Sequence, residues 1–600
     1  YMQDKSFRDK LPNFAALRNS GSFLPLLSSE PPISPVAWST FATGVNPGKH
    51  NIFDFLATDR ATYMPKLACS EILPGGKCLK IGKLQVPLPG GGIEAKRKSL
   101  SFWKTAAGHG VYSQVLRVPF TFPPESFYGT MLAGLGTPDL RGTQGSFTFF
   151  STEAEKDSGI SEGLVEKLEP GPDGLFQGRI RGPRNPFRKD QPLLYLPFQV
   201  ALDQKAGTAT VILKDRRIVL RPGEFSAWMP LKFKTGLLSI SGIAQWLLKD
   251  LDPLRIYLSP LNIDPESPSM PVSQPKTFAA YLAKRLGPFA TLGMAEDTWA
   301  LNEGLLSEGE FLAQTWQMQQ ERERIFFDGL AKIKTGLLVA VFEATDRVQH
   351  MFWRDNGRDG SPLPGPEVFE SYRRMDELLG RVLPRIKPDD LLLVVSDHGF
   401  SSFRREFHLN SWLKQEGYLV LKQGSTSSAK WYAEVDWSKS RAYGQGLNGI
   451  YLNLKNRERQ GIVEAGAEAE KLKAEIREKL LKLTDPETGM RPLRQVQAAD
   501  RLYRGPYTGN APDLVMGYER GYRVSWESSV NVVGEKIFTD NTRPWSGDHA
   551  FTRDQVPGIL FCNRAVATAD PGLIDIAPTV LSQFGIARPA YLEGRDLGIE

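Results

Sequence analysis

Hydrophobic and polar positions follow three different rhythms along this chain. Two continuous apolar runs, GLLVAVF at 336–342 and DLLLVVS at 390–396, lie between helical patterns, which predicts strands of a parallel sheet buried on both faces. Residues 11–17 and 465–483 repeat at helical spacing. In the second, Leu472, Ile476, Leu480 and Leu483 share one face between Glu and Lys, as on a surface helix with one buried side. From about 145 to 263 short β-type runs (LLYLPFQVAL, TATVILKD, RRIVLRP, WMPLKFK) are separated by turn residues roughly every ten positions, which reads as an inserted all-β unit. The pattern predicts an α/β core in two pieces, 1–144 and 275–600, around a β-rich insertion at 145–274.

Composition changes this picture little. With 41% hydrophobic and 24% charged residues the chain is a folded one, and 56 Gly with 43 Pro point to many turns. Its 74 Lys and Arg against 68 Asp and Glu give +6, a charge too dilute over 600 residues to suggest nucleic acid as a partner. No apolar run approaches the length of a membrane span. Three cysteines make no framework. Cys69 and Cys78 are close enough to bridge, with buried free thiols as the favoured alternative.

The residues that follow the two apolar strands matter more, because ligands of open α/β sheets collect at the carboxyl ends of the strands. The first runs into Glu343-Ala-Thr-Asp346-Arg-Val-Gln-His350, where Asp346 and His350 are four apart and share a helical face. The second runs into Asp397-His398-Gly399, and a turn-rich loop near the C-terminal end carries Asp548-His549. Three of only six histidines thus stand beside or four residues from an aspartate. Carboxylate with imidazole suits Zn²⁺ or Mn²⁺, and clusters at neighbouring strand ends are able to hold two ions about 4 Å apart. A nucleophile is offered by Ser34, read as the N-cap of a helix with Pro35 at its first position and Gly44 past its end. There the hydroxyl would face backbone N–H groups and the positive end of the dipole.

These blocks, PPISPVAWSTFATGVNPGKHNIFDF with the Asp346/His350 pair, SDHG and GDH, resemble the alkaline phosphatase superfamily, and within it the bacterial branch of the type I phosphodiesterase/nucleotide pyrophosphatase family. LPNFAALRNSGSF, FWKTAAGHGV and DIAPTVLSQFGI are similar to family text as well, so the likeness touches most of the chain and is weakest across the insertion. It implies a three-layer α/β sandwich with a mostly parallel central sheet, and a phosphodiesterase or phosphomonoesterase in which Ser34 attacks phosphorus and becomes a covalent phosphoserine. Asp346, His350 and His549 would hold one divalent ion, and Asp397 and His398 the other with Ser34 bridging. Zinc is the favoured metal and manganese the alternative.

Two departures from the family pattern stand out. The family carries one further aspartate ligand at the end of a first strand upstream of LPNF, and this sequence begins inside the following helix, so a longer natural chain is expected. Nucleotide-cleaving relatives place a phosphate-binding asparagine where Phe55 stands here, with Asn51 replacing glycine, which argues against nucleotide substrates. The sulfatase signature C/S-x-P-x-R is absent, since Pro35 follows Ser34 directly. His50 is expected to bond backbone, His109 and His408 have no assigned role, and Trp38 and Trp545 are read as core indoles able to border the pocket. The substrate is expected to be a phosphate ester, and a periplasmic or extracellular location is favoured. A phospho-headgroup transferase and a non-catalytic binding protein of the same fold are the rival readings.

Overall fold

Both continuous apolar runs form strands, Leu337–Ala340 and Leu393–Val395, and each leads directly into the acidic and histidine-bearing segment that follows it. The computed structural model describes residues 8–72, 78–87, 92–156, 159–214, 216–236, 238–354 and 365–599. It divides into two units, one of residues 1–71, 96–109 and 348–600, the other of residues 72–95 and 110–347.

In the first unit the strand Leu393–Val395 pairs antiparallel with Gly558–Cys562, which pairs in turn with Ser22–Leu26. It is half-buried rather than buried on both faces, because among the described residues it has one ladder partner and stands at the sheet edge. Phe14, Leu17, Leu379 and Phe561 pack where the helices Pro12–Ser20 and Pro366–Val382 lie on this sheet. A second core gathers around the sheet of Ala442–Gln445, Gly449–Leu452, Leu514–Tyr518 and Leu493–Ala498. The helix expected at 465–483 spans Ala467–Lys482 and lays Leu472, Ile476 and Leu480 onto that core, while Leu483 is only half-buried past its end.

Two antiparallel pairings shape the region that carries the chemistry. Ser401 pairs with Asp548 and Ser402 with Gly547, which brings the loop after the strand Leu393–Val395 against the Gly547-Asp548-His549 turn. A side chain at 547 is excluded, since a Cβ there would lie 2.3 Å from the Gln349 carbonyl oxygen. Gly44 has φ of 62° and ends the helix Ser34–Thr43 in the left-handed conformation that glycine adopts without steric cost.

In the second unit Leu337–Ala340 pairs parallel with Ser113–Leu116, which pairs parallel with Gly129–Leu132. The β-rich character read at 145–263 is borne out by a five-stranded antiparallel meander (169–170, 176–184, 193–203, 208–213, 216–220), a sheet of 229–234, 239–244 and 262–263, and a four-stranded sheet. Phe150, Phe198 and Trp246 meet in its core at centroid distances of 4.9 to 5.9 Å. The bridge considered for Cys69 is not formed: Cys69 is a buried free thiol, and the side chain of Cys78 lies outside the described residues. Burial raises the Cys69 thiol above its ordinary range, so it stays protonated and packs as a small apolar group.

Ile476 is fully buried on its helix, so Ile476→Ala removes its contacts with the sheet beneath. The expected loss is about 2 to 5 kcal/mol, read as a lowered urea midpoint with an unchanged slope.

Candidate active site

The helix that carries Ser34 begins one residue earlier than its punctuation suggests. Ile33 takes the cap position with extended backbone, Ser34 is the first helical residue, and no side chain caps the helix. Val36 and Ala37 N–H both donate to the Ile33 carbonyl, so the Ser34 hydroxyl is released from capping. It points to His398, with Oγ 3.2 Å from Nε2, and is buried.

This hydroxyl's partner is one of three imidazoles that lie together. His398 and His549 stack with centroids 3.6 Å apart, and His350 and His549 lie 5.2 Å apart. Each is tied by Nδ1 to a backbone carbonyl: His350 to Gly547 at 2.8 Å, His549 to Pro32 at 2.8 Å and His398 to Gly399 at 3.1 Å. A carbonyl only accepts, so Nδ1 carries the proton in each ring and Nε2 carries the lone pair. This is the tautomer a metal ligand needs, fixed by the kind of partner metal-bound histidines use. The Phe400 ring packs against all three at 4.8 to 5.5 Å and fills the space behind them.

Asp397 enters the same cluster. Its Oδ2 is buried without a hydrogen bond and lies 3.1 Å from His398 Nε2. Two ligands of a tetrahedral zinc ion are separated by roughly 3.3 Å, given bonds near 2.0 to 2.1 Å. An orphaned carboxylate oxygen facing an imidazole lone pair at that spacing fits a shared cation, whereas no protein donor satisfies it. The Ser28 hydroxyl donates to the Asp397 carbonyl at 2.5 Å and holds the loop.

Asp346 stands one turn before His350 on the helix Ala344–Phe352, as its spacing predicts. It is half-buried and ion-paired with Arg347, whose Nε lies 3.8 Å from Glu296. Glu296 also accepts from Arg322 at 2.6 Å, and Arg322 lies 2.7 Å from Glu343. Burial pushes the Glu296 carboxyl up, and the Arg322 and Arg347 guanidiniums overcome that and hold it below the ordinary range. This buried network of alternating charge anchors the segment bearing Asp346.

Sequence reasoning did not assign Asp548, Arg523 or Phe400. Asp548 Oδ1 accepts from His549 N and Ala550 N, and its Oδ2 accepts from Trp545 Nε1 at 3.0 Å and pairs with Arg523 at 3.0 Å. Burial raises the Asp548 carboxyl, but Arg523, His549, His350 and the Trp545 bond outweigh it and keep the group ionised. Arg523 lies between the rings of Phe403 and Trp526. Trp545 borders the site, its ring 3.8 Å from that of His350, while Trp38 is a core indole packed edge-on against Phe41. The signal for Asp548 was its place in the Asp-His dipeptide. What it holds together depends on pairings across more than a hundred residues.

The remaining histidines are structural. His50 is fully buried and meets Thr40 Oγ1 at 3.1 Å, and its Nδ1 accepts from Ile52 N. Burial lowers its pKa to about 3, so it is neutral. His109 contacts the Thr105 carbonyl, and His408 meets Thr539 Oγ1 at 2.8 Å.

Glu30, in the loop that precedes Ser34, is a titrating neighbour. Burial raises its carboxyl to about 7, partly offset by Arg553 and by the Gln495 hydrogen bond. The folded state therefore binds this proton more tightly than the unfolded chain. The associated stability is fully present below the ordinary value of 4.5 and is lost as pH rises through about 7. Glu30→Gln is expected to leave stability little changed near pH 5 and to raise it by about 1 to 3 kcal/mol near pH 8, measured by urea unfolding at both pH values.

The sequence matches the type I phosphodiesterase/nucleotide pyrophosphatase family model over residues 1–130 and 287–548. No curated protein matches it significantly. Similar solved structures include wild-type alkaline phosphatase PafA, at 14% identity and a TM-score of 0.40, covering 97% of this chain and 92% of that one. Phosphonoacetate hydrolase from Sinorhizobium meliloti 1021, at 10% identity and a TM-score of 0.43, is covered to 92% by 97% of this chain. Human ectonucleotide pyrophosphatase/phosphodiesterase 5, at 15% identity and a TM-score of 0.26, is matched over 61% of its own length by 47% of this one. With the matched segments taking in Ser34, Asp346, His350, Asp397, His398 and Asp548, this chain belongs to the type I phosphodiesterase/nucleotide pyrophosphatase family.

Proposed function

We propose that this chain is a metal-dependent phosphoric ester hydrolase, acting on a phosphodiester or phosphomonoester through a covalent phosphoserine at Ser34. The observation that carries this reading is the cluster itself: a buried serine hydroxyl 3.2 Å from one of three imidazoles whose Nδ1 atoms are all tied to backbone carbonyls. The orphaned oxygen of Asp397 supports a cation there. On this reading Asp346, His350 and His549 hold one divalent ion, and Asp397, His398 and Ser34 the other, with zinc preferred over manganese for a site of imidazole and carboxylate. When bound, the pair would supply the positive charge that an in-line displacement at phosphorus requires at its attacking and leaving oxygens.

The chain's own residues do the rest. Ser34 Oγ, free of any capping role and held beside His398, attacks phosphorus as its proton passes to water. The bond from phosphorus to the leaving oxygen breaks, and a second attack at phosphorus by water restores the hydroxyl. Burial of Ser34 keeps bulk solvent from the nucleophile. The fully buried Ile33, Val36 and Ala550 form an apolar cluster beside Ser34 and His549, with Phe55 packed against it.

Purified protein is expected to contain zinc or manganese in stoichiometric amount and to hydrolyse bis-p-nitrophenyl phosphate. Ser34→Ala should lower kcat/KM by about 10³-fold or more and abolish phosphoserine trapped by acid quench. Metal-bearing protein whose turnover survives Ser34→Ala would refute the nucleophile. Glycerol as a competing acceptor separates hydrolase from transferase, since a transferase yields glycerol phosphate in place of free phosphate.

A further inference from the structure

The net charge is far less dilute than the total suggests. Residues 176–234 hold 12 Lys and Arg against 4 Asp and Glu, a net of +8, whereas the whole chain carries +6. Strand register gathers part of this excess at one end of the meander. Arg184 stands opposite Leu193, so the 185–192 connection forms one end of the meander. Asn185 Nδ2 donates to the Thr235 carbonyl at 3.4 Å, which brings the turn between 229–234 and 239–244 to the same end. Lys189 N–H donates to the Lys83 carbonyl at 3.2 Å and Gln85 N–H to the Phe187 carbonyl at 2.9 Å. The Gln85 amide also donates to the Pro186 carbonyl at 3.1 Å, seating a further hairpin tip on this connection.

The tip so assembled has two chemistries. Leu84 and Leu238 are 57% and 60% exposed, among the most exposed large apolar side chains described. Around them stand the exposed cations Lys83, Arg184, Lys189, Lys232 and Lys234. Among the described residues none of these four lysines forms an ion pair with a carboxylate. Asp190, the one acid in the 185–192 connection, is paired with Arg188 at 2.7 Å and also feels the charge of Lys83. Leucines held in water among cations that outnumber the acids are poorly explained by stability. They match an interface with acyl chains below and anionic headgroups above.

We propose that this loop tip docks the protein on an anionic lipid bilayer, with Leu84 and Leu238 entering the interface and the surrounding Lys and Arg meeting phosphate headgroups. The proposal is independent of the chemistry assigned to Ser34, since none of these residues belongs to the catalytic cluster.

Co-sedimentation of the full chain with vesicles tests it. Binding is expected to vesicles of phosphatidylcholine containing about one-third phosphatidylglycerol, to fall with added salt, and to be absent with phosphatidylcholine alone. The triple variant Lys83→Glu, Lys189→Glu, Lys234→Glu should bind roughly tenfold or more weakly. The pair Leu84→Ser, Leu238→Ser should bind several-fold more weakly at unchanged charge. Circular dichroism and the thermal midpoint of each variant establish that it remains folded. Failure of the parent to bind the anionic vesicles, or undiminished binding by either folded variant, overturns the proposal. So does duplex DNA bound as tightly as vesicles and indifferent to the leucine changes, which would make the tip a general polyanion site.

Discussion

Three imidazole rings are fastened to backbone carbonyls through Nδ1, and the catalytic arrangement depends on those ties. An imidazole has two nitrogens, and only the one bearing a lone pair binds a cation or accepts a hydroxyl proton. Committing each Nδ1–H to a carbonyl settles which nitrogen that is, and sets the ring plane. The carbonyls come from well-separated parts of the chain: Pro32 from the loop before the nucleophile helix, Gly399 from the turn after a strand, and Gly547 from the turn that precedes His549. The site is therefore a product of three loops held in register. Moving any one of them rotates a ring.

The register has its own electrostatic support. Asp548 binds two backbone N–H groups, the Trp545 indole and Arg523, so one buried carboxylate closes the loop that supplies both Gly547 and His549. Breaking a buried ion pair by removing one partner costs far more than the pair contributes against an apolar replacement, because it strands the other charge. Removing either Arg523 or Asp548 would therefore strand the other.

Much of this was legible in the sequence, for physical reasons. Continuous apolar runs ending in Asp and His marked strand ends, since ligand-bearing residues gather there and few other settings combine those residue types. Asp346, His350, Asp397 and His398 were singled out this way, while His549 stood out by its Asp-His pair in a loop and Ser34 by helix punctuation. Helix punctuation was nearly right. It placed Ser34 at the cap, and the one-residue difference matters because a capping serine would have spent its hydroxyl. Asp548, Arg523 and Phe400 were not legible, because their roles exist only once Ser401 pairs with Asp548, a contact that local patterning does not encode. The edge position of Leu393–Val395 was hidden for the same reason: an apolar run reports burial propensity, while the number of ladder partners is a property of topology. Averaging concealed the charge. A net of +6 over the chain masks +8 within 176–234, so the remainder is slightly acidic.

That division of charge bears on how a phosphate ester would be met at Ser34. A dianionic or monoanionic group entering a buried site must find compensating charge, or the desolvation cost excludes it. Near the histidines Arg523 is committed to Asp548, and in the other unit Arg347 is committed to Asp346 and Glu296. The start of the Ser34 helix offers only a partial positive charge. On the proposed reading, bound cations are consequently the natural source of the charge at phosphorus, and the orphaned oxygen of Asp397 is where their absence would be felt first. The large surplus of Lys and Arg lies elsewhere in the sequence, in the β-rich segment. The residues that would meet phosphate in the reaction and those that would meet phosphate on a surface are therefore different sets, and each can be altered without the other.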